Sequence, residues 1–408
     1  MSERGFYVGI DIDDTYAVAS FYEDGIKEPA TVSMKAGSEV FQVPLCVAKK
    51  KGLGQWFIGE EAALCNEQEN VLVKQLLSSA LNQDEIGIDG ERYYACDLFV
   101  LFLKKLVSYI GGPYGAVKIH CLAFSVECLN AELSKLLLHV GEQMGLKKEQ
   151  IVLLDRKSAF YYFALSQPKE LWLHDVSLFD YREKRMKCMR LERSLNTMPQ
   201  LVTIEEQVEE IESNAQDEAF YGVLSKMLPG HIVSSVYLVG DAFDGGWMDQ
   251  SLNYLCRGRR AFMGKNLYAK GACYAMMVLK GNVSWPYAYI GDNEMKVNVS
   301  LAVKNRQAKE FYTLLSAGDN WYEASGSCEV ILDDTREIAI WLQLPESKTA
   351  NVQKLELLDL PERENKTTRL RITVTPMSDK QIKVEIKDLG FGELVKSKDQ
   401  HWEYIMSL

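Results

Sequence analysis

An acidic turn between two short hydrophobic runs near the start of the chain constrains the fold most. Residues 8–22 read VGIDIDDTYAVASFY, and hydrophobic side chains alternate with others on both sides of the turn, at Val8, Ile10, Ile12, Ala17, Ala19 and Phe21. This period of two predicts a β-hairpin. Its tip carries Asp11, Asp13 and Asp14 within four residues. One carboxylate can organise a metal ion, whereas three would repel a polyphosphate unless cations compensate. A solvated hairpin end is the simpler alternative.

Three later segments have the pattern of α/β units. Residues 151–155 form a predicted strand that enters a helix near Ser158, and residues 236–239 form a short hydrophobic strand that ends in Gly240 and Asp241. Around Gly271, small residues recur at helical spacing. Such spacing lets a helix approach another backbone closely.

In this order, these segments resemble the actin-like ATPase superfamily, in particular the seventy-kilodalton heat-shock chaperones. The first phosphate loop of that family, Gly-Ile-Asp-Leu-Gly-Thr-Thr, is similar to residues 9–15, which end at Thr15. The adenosine segment resembles Gly240 and Asp241, and the second connecting helix resembles the stretch around Gly271. The resemblance implies an α/β actin-like ATPase fold, with two small lobes of sheet and helices and a nucleotide cleft between them.

The glycines of both phosphate loops are replaced in this chain. Asp13 and Asp14 stand where the first loop has Gly and Thr, and the second loop, Asp-hydrophobic-Gly-Gly-Gly-Thr, corresponds to Asp180-Tyr181-Arg182-Glu183-Lys184-Arg185. Glycine leaves room for a phosphate and tolerates φ > 0. The first connecting segment, usually Asn-Glu-Pro-Thr-Ala, reads Asp155-Arg156-Lys157-Ser158-Ala159 and lacks the acidic residue associated with water or metal positioning. The chain therefore keeps the sequence pattern of the fold but lacks the residues that the family uses for catalysis.

The charges suggest how the altered cleft is filled. The two phosphate loops of the family face each other, so we expect Arg182, Lys184 or Arg185 to pair with Asp11, Asp13 and Asp14. Two alternatives remain open at this point. In the first, the basic run forms a solvated hairpin tip. In the second, it binds phosphates while the aspartates hold Mg²⁺, which would make Mg-ATP a ligand.

Composition excludes several classes of function. The chain has 408 residues, 47% of them hydrophobic, and a net charge of −11, which argues against nucleic-acid binding. No apolar run approaches the ~18 residues of a membrane span, and the first residues contain no signal-peptide pattern. The nine cysteines lack Cys-x-x-Cys spacing and the five histidines lack zinc spacing. A cytoplasmic protein with free thiols and without a bound metal is expected.

The rest of residues 1–280, the predicted nucleotide-binding-type domain, alternates strands and helices. A helix is expected over 95–110, a strand over 117–124, and a helix from the N-cap Asn130 to Met144. The region 200–228 is predicted to be helical and acidic, with Ile204, Val208 and Ile211 on one face.

Near Gly281 the pattern changes to strands without helices, which predicts a β-sandwich over 285–408. Predicted strands cover 295–302, 328–332, 338–344, 370–374 and 382–386. The hairpin that ends in Lys387-Asp388-Leu389-Gly390 resembles the end of the chaperones' peptide-binding β-domain, without their helical lid. Loops at 312–315 and 321–322 are the candidates for exposed apolar contacts. The alternative is that these side chains form the core of the sandwich and that Gly318 makes an ordinary turn.

The sequence thus predicts a chaperone-like protein-binding scaffold with an inactive ATPase domain and no cofactor. Its expected partner is a protein or peptide bound by the C-terminal β-domain. Competing hypotheses are a slow ATPase with unusual phosphate loops and an actin-like filament subunit; sugar kinases share the fold, but the chain lacks their sugar-binding signatures.

Overall fold

The chain divides into two compact units between Tyr289 and Ile290. The computed structural model describes residues 5–23, 28–34, 37–114, 118–211, 216–305, 308–345, 347, 349–392 and 396–408. The boundary lies a few residues after the predicted end at 280 and start at 285, because residues 287–289 pair with a strand of the first unit. Among the described residues, no helix has the length and apolar character needed to cross a membrane. All nine cysteines are free.

The first half of the first unit is built around one mixed sheet. Its elements are β1 (Gly5–Ile12), β2 (Tyr16–Glu23), β3 (Ala30–Thr31), β4 (Val43–Pro44), β5 (Val47–Lys50), β6 (Trp56–Ile58), α1 (Gly59–Ala63), β7 (Asn70–Val73), α2 (Leu76–Leu81), β8 (Glu85–Ile88), β9 (Glu91–Tyr94), α3 (Ala95–Ser108), β10 (Lys118–Val126), α4 (Ala131–Gln143), β11 (Ile151–Asp155) and α5 (Arg156–Ser166). The strand order is β11-β10-β1-β2-β3, with β4 beside β2. β5, β6 and β7 form a separate small sheet, as do β8 and β9.

The second half is built around another mixed sheet. Its elements are β12 (Asp175–Arg182), β13 (Arg185–Arg193), β14 (Gln200–Glu210), α6 (Gln216–Met227), β15 (Val233–Val239), α7 (Asp249–Leu255), β16 (Arg260–Met263), α8 (Leu267–Leu279) and β17 (Tyr287–Tyr289). The strand order is β16-β15-β12-β13-β14-β17.

Both halves repeat one strand order. In the first, β1, β2 and β3 are antiparallel neighbours, and β10 and β11 follow in parallel on the other side of β1. In the second, β12, β13 and β14 are antiparallel neighbours, and β15 and β16 follow in parallel on the other side of β12. The first unit is therefore an internal structural repeat of mixed α/β type.

The last helix of each half packs beyond its own half. α5 shares a hydrophobic cluster with β12 and β15 of the second sheet, and α8 shares one with β10 and β11 of the first. Two glycines allow the close approach: a Cβ on Gly9 would lie 2.4 Å from the Ala269 carbonyl oxygen, and one on Gly271 would lie 2.0 Å from that of Ala159. The prediction that small residues let this helix approach another backbone is confirmed.

Most local predictions in the first unit are confirmed, and one is wrong. Asn130 caps α4, since its side chain accepts a hydrogen bond from the Leu133 N–H at 2.8 Å. Residues 200–210, however, form strand β14, and α6 begins only at Gln216. The positions of Ile204 and Val208 fit a period of two as well as a helical turn, and pairing with β13 selects the strand.

The second unit contains two four-stranded antiparallel sheets. Its strands are β18 (Asn298–Asn305), β19 (Ala308–Leu315), β20 (Gly326–Ile331), β21 (Glu337–Gln343), β22 (Asn351–Glu356), β23 (Arg369–Ser378), β24 (Gln381–Gly390) and β25 (His401–Ser407). The sheet orders are β19-β18-β21-β22 and β20-β23-β24-β25. Along β23 and β24 alternate side chains are buried, as expected of a sheet with one core face.

The predicted exposed loops of this unit are divided between surface and core. Residues 312–315 belong to strand β19, where Leu314 and Leu315 are buried and Tyr312 is 49% exposed. Trp321 is also buried, and its indole N–H donates to the Asp292 carbonyl at 2.9 Å. Tyr312 is therefore exposed as the first alternative expects, whereas Leu314, Leu315 and Trp321 follow the alternative in which these side chains form the core.

A buried ion pair fixes the end of β24. Arg363 donates two hydrogen bonds of 2.7 Å to the two oxygens of Asp388, and both side chains are almost inaccessible. The hydrogen bonds from Arg363 are the main reason that the pKa of Asp388 falls to about 2. The N–H groups of Gly390 and Lys398 also donate to this carboxylate. The Lys387–Gly390 segment thus has a structural role in this unit.

We predict that Arg363→Ala lowers the free energy of unfolding by about 3–5 kcal/mol, because it leaves a buried carboxylate without its cation. Arg371→Ala, which removes an exposed pair with Glu329, is the matched control and should cost less than about 1 kcal/mol. Urea denaturation measures both.

The pH dependence provides a second readout. The pKa of Asp388 is lowered from an ordinary 3.8 to about 2. The pair therefore stabilises the fold fully above about pH 4, and this stabilisation is lost as the pH falls through about 2. Arg363→Ala should flatten this acid limb of the stability profile, and an unchanged acid limb would contradict the assignment.

Candidate functional site

Arg156 lies at the centre of the site, at the first position of α5. Its Nε donates to Asp11 Oδ1 at 2.9 Å and its Nη2 to Asp11 Oδ2 at 3.0 Å, and its side chain is 6% exposed. The helix begins here because the Asp155 carboxylate accepts a hydrogen bond from the Ser158 N–H at 2.7 Å. Burial opposes the charge of Arg156, but the attraction of Asp11 raises its pKa above the ordinary value.

Asp13 joins Arg156 to a second arginine. Its Oδ2 accepts from Arg156 Nη2 and from Arg182 Nη1, both at 3.1 Å. Its Oδ1 accepts from the N–H and hydroxyl of Thr15 and from the N–H of Tyr16, at 2.9, 2.5 and 3.1 Å. Asp13 therefore stabilises the turn between β1 and β2 and presents its other oxygen to the two guanidinium groups.

Asp180, near the end of β12, completes the network. Arg182 Nε donates to its Oδ1 at 2.7 Å, and the Tyr268 hydroxyl donates to its Oδ2 at 2.9 Å. Burial raises the pKa of Asp180 to about 6, against the opposing effect of Arg156. Burial and the charge of Asp180 also raise the pKa of Tyr268, so that its hydroxyl remains a donor.

Aromatic rings cover the two guanidinium groups. The Arg156 guanidinium lies 5.3 Å from the centre of the Tyr268 ring, and that of Arg182 lies 5.1 Å from the Tyr16 ring. Both distances fall within the range of cation–π attraction. Planar guanidinium groups with bidentate partners are held more firmly than a lysine would be.

The charge balance of this network is unfavourable for a phosphate. Three carboxylates, of Asp11, Asp13 and Asp180, share two guanidinium groups, so the ionised network is net negative. All the oxygens of Asp11 and Asp13 already accept hydrogen bonds. The N-terminus of a helix ordinarily attracts anions, but here the first residue of α5 is itself a cation held by aspartates.

Several residues predicted for the site lie elsewhere. Asp14 accepts hydrogen bonds from the N–H (2.8 Å) and hydroxyl of Ser78 and so caps the first turn of α2. Lys184 and Arg185 are exposed on the β12–β13 hairpin, and no ion pair among the described residues joins them to Asp11, Asp13 or Asp14. The expected pairing is confirmed only for Arg182 with Asp13.

A small cavity adjoins the network where β15 ends. Gly240 has φ +106° and approaches the Tyr181 carbonyl, to which a Cβ would come within 2.0 Å. The cavity has a volume of about 100 Å³ and is lined by residues that include Asp11, Arg182, Gly240, Asp241, Lys265 and Tyr268. Ligand pockets for molecules of drug size usually enclose about 300–1,000 Å³.

Sequence reasoning missed Arg156, Tyr16 and Tyr268 as members of the site. The signal that could have found Arg156 is the excess of carboxylates in the first turn, which requires a nearby buried cation. Arg156 was the candidate for this cation, because it lies at a strong helix start in a segment otherwise rich in small and aromatic residues.

Outside the cleft, Asp175, Glu192 and His231 place ligand atoms within 4.8 Å of one another. Arg190 already donates to Glu192 at 2.6 Å. We therefore assign no metal to this cluster.

We predict that Asp13 and Arg182 are energetically coupled and that Asp14 and Arg185 are not. In a double-mutant cycle of Asp13→Ala with Arg182→Ala, urea denaturation should give a coupling energy of about 1–2 kcal/mol, because the two side chains share one network. The cycle of Asp14→Ala with Arg185→Ala is the matched control and should give less than about 0.5 kcal/mol. Equal coupling in the two cycles would contradict this geometry.

Comparison with known proteins gives the family of the chain. No curated protein matches it. The model of "Domain of unknown function (DUF8552)" matches residues 294–408, which lie within the second unit. The model of "Family of unknown function (DUF5716) C-terminal" matches residues 28–292, more than half of the chain. The chain therefore belongs to the family of unknown function DUF5716.

Proposed function

We propose that the protein is a protein-binding scaffold in which the first unit is an actin-like ATPase fold that no longer binds nucleotide. The repeated strand order of the two halves supports this proposal, since it supplies the two sheet-and-helix lobes that the resemblance implies. The crossing of α5 and α8, with Gly271 at the contact, supports the same fold.

The observation that carries the proposal is the bidentate hold of Arg156 on Asp11. When the chain is aligned with the motifs that it resembles, Arg156 occupies the position of the acidic residue in Asn-Glu-Pro-Thr-Ala. Asp11 then corresponds to the aspartate of the first phosphate loop. A residue that would help to position water or metal has been replaced by a cation that occupies both oxygens of the aspartate. Asp11 is thereby neutralised from within the chain.

The Mg-ATP alternative is disfavoured by the same contacts. A magnesium ion needs free oxygen ligands in near-octahedral geometry, but the oxygens of Asp11 and Asp13 are engaged by donors. The second loop contains Arg182 in place of glycine, and this side chain lies across the space toward Asp13. The remaining cavity of about 100 Å³ is too small for a nucleoside triphosphate.

We predict that calorimetric titration of the full chain with Mg-ATP and with Mg-ADP gives no saturable heat. The reason is that the phosphate site is net negative and already filled by side chains. Protein purified without added nucleotide should also release none on acid precipitation, as measured by chromatography of the supernatant.

Binding in the low-micromolar range, or a retained adenine nucleotide, would contradict the proposal. If binding occurs, Arg182→Ala and Lys184→Ala test whether the basic hairpin holds the phosphates. Loss of affinity in either variant would favour a basic hairpin that holds phosphates.

We assign the partner-binding role to the second unit. Its strand β19 has one hydrogen-bonded neighbour, β18, among the described strands. An edge strand offers main-chain groups to an extended peptide, and exposed side chains beside it provide specificity. Phe311 and Tyr312 on this strand are 54% and 49% exposed, which supports a peptide or protein partner at this edge.

Site-specific photocrosslinking in the full chain tests this assignment. A benzoylphenylalanine at Tyr312 should give a crosslinked protein in cells, whereas the same group at Tyr94, an equally exposed tyrosine of the first unit, should not. Crosslinks from position 94 alone would move the recognition surface to the first unit.

A further inference from the structure

The outer face of the sheet β19-β18-β21-β22 contains a recess, which is not part of the candidate site in the first unit. Its volume is about 300 Å³, and it is lined by Asn298, Ser300, Phe311, Thr313, Trp341 and Gln343, with Ser316 at the turn after β19. Register accounts for the set, because Ser300 pairs with Thr313 on one side and with Trp341 on the other, and Asn298 pairs with Gln343. Cross-strand neighbours share one face of a sheet.

Two aromatic rings form an apolar part of this recess. The centres of the Phe311 and Trp341 rings are 4.9 Å apart in an edge-to-face arrangement. Phe311 is 54% exposed, so a large part of this apolar surface faces solvent. The register of β18 against β19 shifts between Val299 and Ser300, and bulges of this kind are common beside active sites.

The indole N–H of Trp341 is a buried donor without a hydrogen-bond partner among the described residues. A tryptophan N–H that is removed from water usually finds an acceptor, and an unpaired one requires an explanation. In the same unit, the indole groups of Trp321 and Trp402 donate to backbone carbonyls at 2.9 and 2.7 Å. The donor of Trp341 therefore lacks the acceptor that these two indole groups have.

The polar part of the recess is neutral. Amides and hydroxyls line it, and the nearby lysine, Lys309, lies over the two rings, with its Nζ 4.8 Å from the centre of Trp341. A phosphate or carboxylate ligand would meet Lys309 beside the lining, but the ammonium group of Lys309 already lies over the two rings. The recess also lies on the face of the sheet, so it does not suit a peptide added as a strand at the edge.

We propose that this recess binds a neutral saccharide of one or two rings. A sugar ring has an apolar C–H face that fits against an aromatic side chain, and hydroxyl groups that both donate and accept hydrogen bonds. A sugar hydroxyl would accept from the indole N–H of Trp341, while Asn298 and Gln343 offer amide groups to its neighbours. This site is separate from the cleft, and it does not depend on the proposed function of the first unit.

The test is titration of the full chain with neutral mono- and disaccharides: glucose, galactose, N-acetylglucosamine, maltose, cellobiose and lactose. Binding is followed in the ¹H–¹⁵N spectrum of the seven tryptophan indole groups. The resonance that is missing in Trp341→Phe identifies Trp341. We expect that resonance to move downfield saturably with at least one of these sugars, since its proton gains an acceptor.

The variants separate the recess from other surfaces. Trp341→Phe keeps an aromatic ring but removes the donor and should weaken binding about tenfold, and Phe311→Ala should weaken it at least as much. Ile405→Ala, an exposed residue of β25 in the other sheet, is the matched control and should bind as the wild type does. Thermal unfolding of each variant checks that it is folded.

Three results would overturn the proposal. They are the absence of a saturable shift with every sugar in the panel, saccharide affinity that is unchanged in both Trp341→Phe and Phe311→Ala, and a Trp341 shift caused by adenosine or uridine but by none of the sugars. The last result would assign the recess to a planar base instead of a saccharide.

Discussion

A buried guanidinium group needs a carboxylate beside it, and the packing of the first unit around Arg156 depends on this requirement. Its partners are Asp11 on β1 and Asp13 in the following turn, and its ring neighbour is Tyr268 on α8. Removal of one partner from a buried ion pair typically costs about 3–5 kcal/mol. The start of α5, the acidic hairpin and the end of β12 are therefore fixed relative to one another by electrostatics as well as by packing.

The two units use buried charge in similar ways and differ in how they treat neutral polar groups. Arg363 with Asp388 and Arg156 with Asp11 are both bidentate and almost inaccessible pairs. Such pairs have strict geometric requirements. The face of the β19-containing sheet offers amides, hydroxyls and one unpaired indole N–H instead. The ion pairs thus stabilise the fold of both units, whereas the recognition that we propose would depend on neutral groups.

Local patterns in the sequence were sufficient for much of the fold. The β1–β2 hairpin, the Asn130 cap and the alternation in β23 and β24 were predicted because each depends on residues close in sequence. The misassigned β14 shows the limit, since the spacing of its hydrophobic residues satisfied two periods and a non-local neighbour decided between them. Arg156 was missed for the same reason: it is 145 residues from Asp11, and sequence reasoning assigned that aspartate only to the hairpin lysine and arginines.

The contact of α8 with two backbones limits how the first unit can change shape. Gly9 on β1 and Gly271 on α8 each bring a carbonyl oxygen to where a side chain would begin. Domain closure by shear requires packed helices to slide past one another by small repacking of side chains. At these two points there are no intervening side chains to repack, so α5, α8 and β1 resist sliding. Any opening between the two halves would have to occur as a hinge rotation about other segments, and it would separate Arg182 from Asp13.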